Sequence, residues 1–203
     1  MGYEAQIAGV ADKKGIISPI IYLLKILSKK HILKHRTQIK NQFPEIKFFN
    51  GGGTGSIHFS SKDPSISEVT VGSGFFHSHL FDGYNDLLSS ASLFFGLPVT
   101  RKPNDQTVTC LGGGYIASGE VGRDKLPKII YPKGLSYIPN EMAGEVQTPL
   151  KSKNHTLNIG DNVYFRPAKS GEICERFMEI QMLKNGEVVD IAKTYRGEGQ
   201  CFY

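Results

Sequence analysis

The 203-residue sequence predicts an α/β segment followed by a β domain. Three observations predict it. Apolar residues recur at helical spacing through the first quarter of the chain, and two short apolar runs then end in glycine and serine. From about Leu93 onward, short β-type runs alternate with Gly, Pro, Asn and Asp without a helical period. The expected domains are 1–92 and 93–203, and 39% hydrophobic content suffices for a buried core in each.

The elements follow in order. "YEAQIAGVAD" carries a short apolar stretch that reads as a strand from Tyr3 to Ile7, ending at the turn-like Asp12-Lys13-Lys14-Gly15. Ser18 before Pro19 offers an N-cap and a proline at the first helical position, so a helix begins there. Ile20, Leu23, Leu24, Leu27, Ile32, Leu33, Ile39 and Phe43 mark its apolar face, with a break expected near Ser28. "PEIKFFN" and "SEVTVGSGFF" are the next strands, each delivering the chain into small residues. In the second half, "LFFGLPVTRKP", "QTVTCLGGGYIASG", "LNIGDNVYFRP", "RFMEIQML" and "EVVDIAKTY" read as strands. The last two flank Lys184-Asn185-Gly186, and Asn-Gly is the strongest hairpin signal in the chain.

Composition excludes several function classes. The three cysteines, Cys110, Cys174 and Cys201, are far apart and contain no CxxC pair, which argues against a disulfide framework and a structural zinc site and fits a reducing cytoplasm. "PIIYLLKIL" is interrupted by Lys25 and too short to span a bilayer, and no signal peptide precedes it, so neither membrane insertion nor secretion is expected. A net charge of +5 is compatible with an anionic ligand but names no partner. Lys25, Lys29, Lys30, Lys34, His35, Arg36 and Lys40 occupy the polar positions of an amphipathic helix, so a solvated face is preferred to a nucleic-acid surface.

The chemistry-bearing stretch is "FFNGGGTGSIHF", in which four of the six central residues are glycine. Bare backbone lets several N–H groups converge on one anion, and the Thr54 and Ser56 hydroxyls add donors, so phosphate is the candidate ligand; a plain connection is the alternative. The loop has neither the lysine and spacing of a Walker A loop nor a GxGxxG pattern. A second small-residue cluster, Gly72-Ser73-Gly74, follows the next strand, and two neighbouring β-ends of this kind form the phosphate site of TIM-type barrels. His77 and His79 lie on one face if extended, but no third metal ligand is near, and surface histidines are the preferred reading. Arg196, in Tyr195-Arg196-Gly197-Glu198-Gly199, is either an anion contact or part of a structural turn.

Together, "YEAQIAGVAD", "FFNGGGTGS", "EVTVGSGFF", "GEVQTPL", "GDNVYFRPAKSGE" and "TYRGEG" resemble the pyridoxal-phosphate enzymes of the alanine-racemase fold, specifically the D-threonine aldolase and D-serine dehydratase group of amino-acid deaminases and aldolases. The resemblance runs through nearly the whole chain in the same order. It implies a partial, late-strand TIM-type barrel of the alanine-racemase fold followed by a C-terminal β domain, with pyridoxal 5'-phosphate held at Gly52, Gly53, Thr54 and Gly55 and by Gly72 and Ser73.

Two departures qualify what is carried over. The family's metal-binding histidine and its cysteine or aspartate follow a proline; here Pro167-Ala168-Lys169-Ser170-Gly171 stands in their place, so no metal is expected, and the Lys169 ammonium is expected to supply part of its charge toward a substrate carboxylate or hydroxyl. The family's Schiff-base lysine lies on the first barrel strand, several strands before Met1-Gly2-Tyr3, and nothing in the spacing promotes Lys13 or Lys14 to that role. The implied function is therefore a lyase of D-amino or β-hydroxy amino acids, present as a C-terminal portion inactive alone. The alternative is a non-catalytic association remnant or a racemase-type enzyme half. The implied partners are a small-molecule amino acid, a second copy, or the missing N-terminal barrel half, and three parallel strands without neighbours should expose open edges.

Overall fold

Residues 4–12, 15–120, 122–153 and 157–201 are described in this computed structural model; Tyr3, Lys13 and Lys14 lie outside them. The chain forms two units, Met1–Ala91 and Ser92–Tyr203.

The first unit opens with a correction. Where a strand is expected, Ala5–Ala8 form a single helical turn, α1. The Glu4 carbonyl accepts the amides of Ile7 (2.9 Å) and Ala8 (2.7 Å), and Ile7 and Ala8 are both buried. Two consecutive buried side chains suit a turn of helix; a strand would send them to opposite faces.

The helix α2, Ser18–Gln42, has Pro19 in its first turn as expected and runs through Ser28 without a break. Its cap is Ile17 rather than Ser18, whose hydroxyl donates instead to the Asp12 carbonyl at 2.9 Å. It stops at Phe43, whose amide closes on the Ile39 carbonyl at 2.9 Å, because the residue before Pro44 is pushed out of the helical region. The faces of α2 reverse the sequence expectation. Lys25 and Arg36, read as solvated, are buried, whereas Ile20, Leu23, Leu24 and Leu27 are exposed, Leu23 and Leu24 each by 57%. The cause is what the unit offers the helix: carboxylates from Asp12, Glu4 and Asp63, which demand cations. Lys30, Lys34, His35 and Lys40 are exposed, in line with a solvated face.

The strands that follow are minimal. β1 (Asn50–Gly51) pairs in parallel with β2 (Glu68–Val69), with Asn50 opposite Glu68 and Gly51 opposite Val69. Between them, the glycine loop leads through a 3₁₀ turn (Thr54–Ser56) into one helical turn, α3 (Ile57–Ser60). The rest of "PEIKFFN" and "EVTVG" is irregular. Only two of the three expected parallel strands occur among the described residues, since α1 takes the place of the first.

The second unit is the β domain. Strands β3 (Phe95–Asn104), β4 (Thr107–Leu111), β5 (Lys128–Tyr131), β6 (Leu135–Tyr137), β7 (Gln147–Ser152) and β8 (Asn162–Arg166) form an antiparallel sheet in the order β5-β8-β3-β4-β7-β6. The long β3 serves two partners, Phe95–Pro98 pairing with β8 and Val99–Asn104 with β4. Edge strands β5 and β6 curl toward each other, and the Tyr137 hydroxyl donates to the Pro127 carbonyl at 2.8 Å, so the sheet is nearly closed. Alternation along the strands sends Phe95, Leu97, Val99, Val108, Cys110, Leu150, Val163 and Phe165 inward as the core. A short helix unread in the sequence, α4 (Gly171–Arg176), follows β8. The expected hairpin is present: β9 (Glu179–Lys184) and β10 (Glu187–Lys193) pair antiparallel across Asn185 (φ 54°) and Gly186 (φ 86°), the left-handed pair that this tight turn requires. Among the described residues, no helix is long and apolar enough to cross a membrane.

Candidate functional site

The structure brings the two glycine turns together. The Gly74 amide donates to the Thr54 hydroxyl at 3.0 Å, linking Gly72-Ser73-Gly74 beyond β2 to the loop beyond β1. The reasons for the glycines differ. Gly52 has φ +108°, a left-handed conformation that favours glycine, and its amide donates at 2.9 Å to the Glu4 carboxylate. A Cβ on Gly55 would lie 2.6 Å from the Ala8 carbonyl oxygen and collide with the Tyr84 ring, so packing alone requires glycine there. A Cβ on Gly72 would meet nothing within 4 Å, so the space over this turn is open.

Beneath the loop lies a buried charge cluster that sequence reasoning missed. Glu4 accepts from the Gly52 amide, from the Ser56 hydroxyl at 3.2 Å and from the Arg36 guanidinium. Arg36 also donates to Asp63 Oδ2 at 2.8 Å, and Asp63 Oδ1 accepts the amide (2.8 Å) and hydroxyl (2.6 Å) of Ser65. Burial pushes the Asp63 carboxyl up, but the bonds from Ser65 and Arg36 outweigh it and hold the group below its ordinary value. Asp12 behaves alike: burial raises it, while Lys25 at 2.6 Å, the Asn85 amide at 2.9 Å and the Lys29 charge bring it down. Lys25 also sits 4.9 Å over the Tyr84 ring. No local signal marks Glu4 or Asp63, since each gains meaning only from Arg36.

Ser78 is buried in the first unit. Its amide donates to the Ser73 carbonyl at 3.4 Å, and its hydroxyl, on a residue 1% exposed, has no hydrogen-bond partner among the described residues. His77 beside it adopts φ +44°, its Nδ1 is 2.7 Å from the Ser89 hydroxyl, and its Nε2 lies 3.6 Å from Asp82. No group of three potential metal ligands occurs among the described residues.

In the second unit, the Lys169 ammonium donates to the Ser118 carbonyl (3.1 Å) and hydroxyl (3.2 Å). Arg196 belongs to the turn after β10, its amide donating to the Cys174 carbonyl at 3.3 Å. Burial pushes the Cys110 thiol up to about 11 and raises Cys174 as well, which makes both poor nucleophiles at neutral pH.

Similarity to solved structures fits this architecture. A D-threonine aldolase from Filomicrobium marinum superposes with a TM-score of 0.70 at 14% identity, over 87% of this chain and 48% of that one. An alanine racemase-like protein from Idiomarina loihiensis gives 0.58 at 12% identity, over 79% and 49%. The chain has the alanine-racemase fold. A D-threo-3-hydroxyaspartate dehydratase from Delftia sp. HT23 shares that fold with a TM-score of 0.56 at 12% identity, over 82% of this chain and 50% of that one. The chain spans about half the length of these structures and corresponds to the C-terminal portion of the alanine-racemase fold. No protein-family model and no curated protein sequence matches it.

The residues present suit the phosphate that the sequence resemblance implies. The open space at Gly72 and the Thr54 bridge, which holds the neighbouring turn beside it, leave room and backbone amides for an anion.

Proposed function

We propose that this chain carries the cofactor-phosphate loops and the β domain of a pyridoxal-phosphate lyase, a deaminase or aldolase of D-amino or β-hydroxy amino acids. The observation that carries the reading is the Thr54–Gly74 hydrogen bond, which holds two glycine turns side by side at the ends of parallel strands in an alanine-racemase fold. The amides of Gly53, Thr54, Gly55, Gly72 and Ser73 are the proposed phosphate donors. Gly52 shapes the loop, its own amide being committed to Glu4. When bound, pyridoxal phosphate supplies the electron sink for bond cleavage beside the α-carbon. Lys169, pinned by Ser118, is proposed to steer a substrate carboxylate or hydroxyl.

The exposed stripe Ile20, Leu23, Leu24 and Leu27 and the two-residue strands favour a shared assembly over a lone catalyst. Such a stripe suits burial in a complete barrel layer, supplied by a polypeptide that carries the remaining strands or by a second copy. A cytoplasmic setting accompanies this proposal. The same surfaces suit a non-catalytic association module.

Absorbance and fluorescence titration of the purified chain tests the cofactor reading. Pyridoxal phosphate is expected to bind, inorganic phosphate to compete with it, and phosphate-free pyridoxal to bind at least about tenfold more weakly. Ser73→Asp places a like charge beside the phosphate and is expected to lower pyridoxal-phosphate affinity about tenfold without changing pyridoxal binding. Equal binding of the two vitamers, or none of either, would refute the site. In an assembled enzyme, Lys169→Ala is expected to raise KM; unchanged turnover and substrate affinity would remove Lys169 from the proposal.

A further inference from the structure

We infer that His31 and His35 of α2 form a bidentate site for a divalent transition-metal ion of the nickel, copper and zinc group. They stand four residues apart on one continuous helix, the spacing that sets two side chains one above the other on the same face. Both are exposed, and their rings stack with centroids 5.8 Å apart and planes 26° apart. Two imidazoles on one tetrahedral ion, with metal–nitrogen bonds of about 2.0–2.1 Å, hold their ring centroids roughly 5 Å apart. Rotation of two exposed side chains closes that difference and turns one nitrogen of each ring to a common point.

The imidazoles have no competing use. Among the described residues, neither forms a hydrogen bond or an ion pair, and the aromatic contact of each is with the other. His58 and His77 are committed elsewhere: His58 Nε2 lies 2.9 Å from the Lys62 ammonium, and His77 reaches Ser89 and Asp82. The backbone that carries the pair is also held. α2 runs unbroken for 25 residues, and Arg36, next to His35, is locked by Glu4 and Asp63 on the opposite, buried side of the helix. Two ligands projecting from one fixed element lose little conformational freedom in closing on one ion, which is the source of chelate affinity.

The surrounding charge selects the class of ion. α2 contains no aspartate or glutamate, and the exposed Lys30 and Lys34 flank His31 with positive charge. Diffuse attraction therefore works against a dication, and affinity has to come from coordination by nitrogen. Mg²⁺ and Ca²⁺, which take oxygen ligands and above all carboxylates, have none to use on this helix, whereas neutral imidazole suits nickel, copper and zinc. Water completes the coordination shell, since the described residues include no group of three potential ligands. An ion that bridges residues 31 and 35 does so only while the intervening turn is helical, so binding stabilises α2 by mass action.

The inference is independent of the cofactor reading. Isothermal titration of the full chain with Ni²⁺, Mn²⁺ and Mg²⁺ tests it, in a Cys201→Ser background that removes the exposed thiol as a competing ligand. Ni²⁺ is expected to bind at least about tenfold more tightly than Mn²⁺, following the order of divalent affinities, and Mg²⁺ not to bind at all. His31→Ala and His35→Ala, both at exposed positions, are each expected to weaken Ni²⁺ about tenfold or more, and to abolish the rise in Tm that Ni²⁺ produces in the parent chain. His35→Ala/Thr37→His keeps the number of histidines but turns the second ring to another face of α2, and is expected to bind as weakly as His35→Ala. Raising the salt concentration is expected not to weaken Ni²⁺, because it screens the repulsion from Lys30 and Lys34, whereas an ion held by carboxylates would be lost. Circular dichroism of each variant without metal confirms that α2 is intact. No binding of Ni²⁺ to the parent chain, unchanged affinity in His31→Ala/His35→Ala, or full affinity in His35→Ala/Thr37→His would overturn the site.

Discussion

Arg36→Ala is expected to destabilise the first unit by about 3–5 kcal/mol, because it leaves the buried carboxylates of Glu4 and Asp63 without their shared cation. The damage should reach the candidate site. Glu4 holds the Gly52 amide and the Ser56 hydroxyl, and once it is unpaired the glycine loop loses its anchor. Urea denaturation followed by circular dichroism at 222 nm, dominated in this unit by α2, measures the loss; a cost below about 1 kcal/mol would show that the cluster does not hold the loop. Acid should act on the same cluster. The folded value of Asp63 lies below its unfolded value of about 3.9, so the stabilisation is complete at neutral pH and is lost as the pH falls through about 4 toward the depressed value. Asp12, lowered by Lys25, adds to the loss over the same window.

Phe165→Ala is expected to cost the β domain about 3–5 kcal/mol. Phe165 is 1% exposed and stacks on Phe95 with ring centroids 5.3 Å apart, at the point where β8 pairs with both β3 and β5. Its neighbour Tyr164, 44% exposed on the opposite face of the same strand, serves as the control; Tyr164→Ala should cost no more than about 1 kcal/mol. Tyrosine fluorescence during urea unfolding reports both variants, since the chain contains no tryptophan. Equal effects would mean that the alternation of β8 does not define inside and outside.

Much of the β domain was legible because its signals are local. Phe95, Leu97 and Val99 announce an inward face within five residues, and Asn185-Gly186 announces its own turn. The extent of α2 was legible in part, through Pro19 and Pro44. Its orientation was not. The pattern of Ile20, Leu23, Leu24 and Leu27 reads as a core stripe, whereas the burial of Lys25 and Arg36 depends on Asp12, Glu4 and Asp63. Arg36 meets Asp63 from 27 residues away and Glu4 from 32, beyond the reach of any periodicity. The strands around the glycine loops are short for a related reason: a parallel pair is slightly less stable per residue than an antiparallel one, and α1 stands where a third strand was expected to support it.

Of the candidate site, the sequence by itself determined the ingredients: two glycine turns rich in amides and hydroxyls, and an order of segments resembling the alanine-racemase fold. Tertiary structure alone decided how those ingredients are used. It joined Thr54 to Gly74, spent the Gly52 amide on Glu4, reserved Gly55 for packing and left Gly72 open. The division is physical. Backbone freedom is a property of each residue and is written where that residue stands, whereas the partner of a buried charge or amide depends on which distant groups share the same small volume, and only folding brings them there.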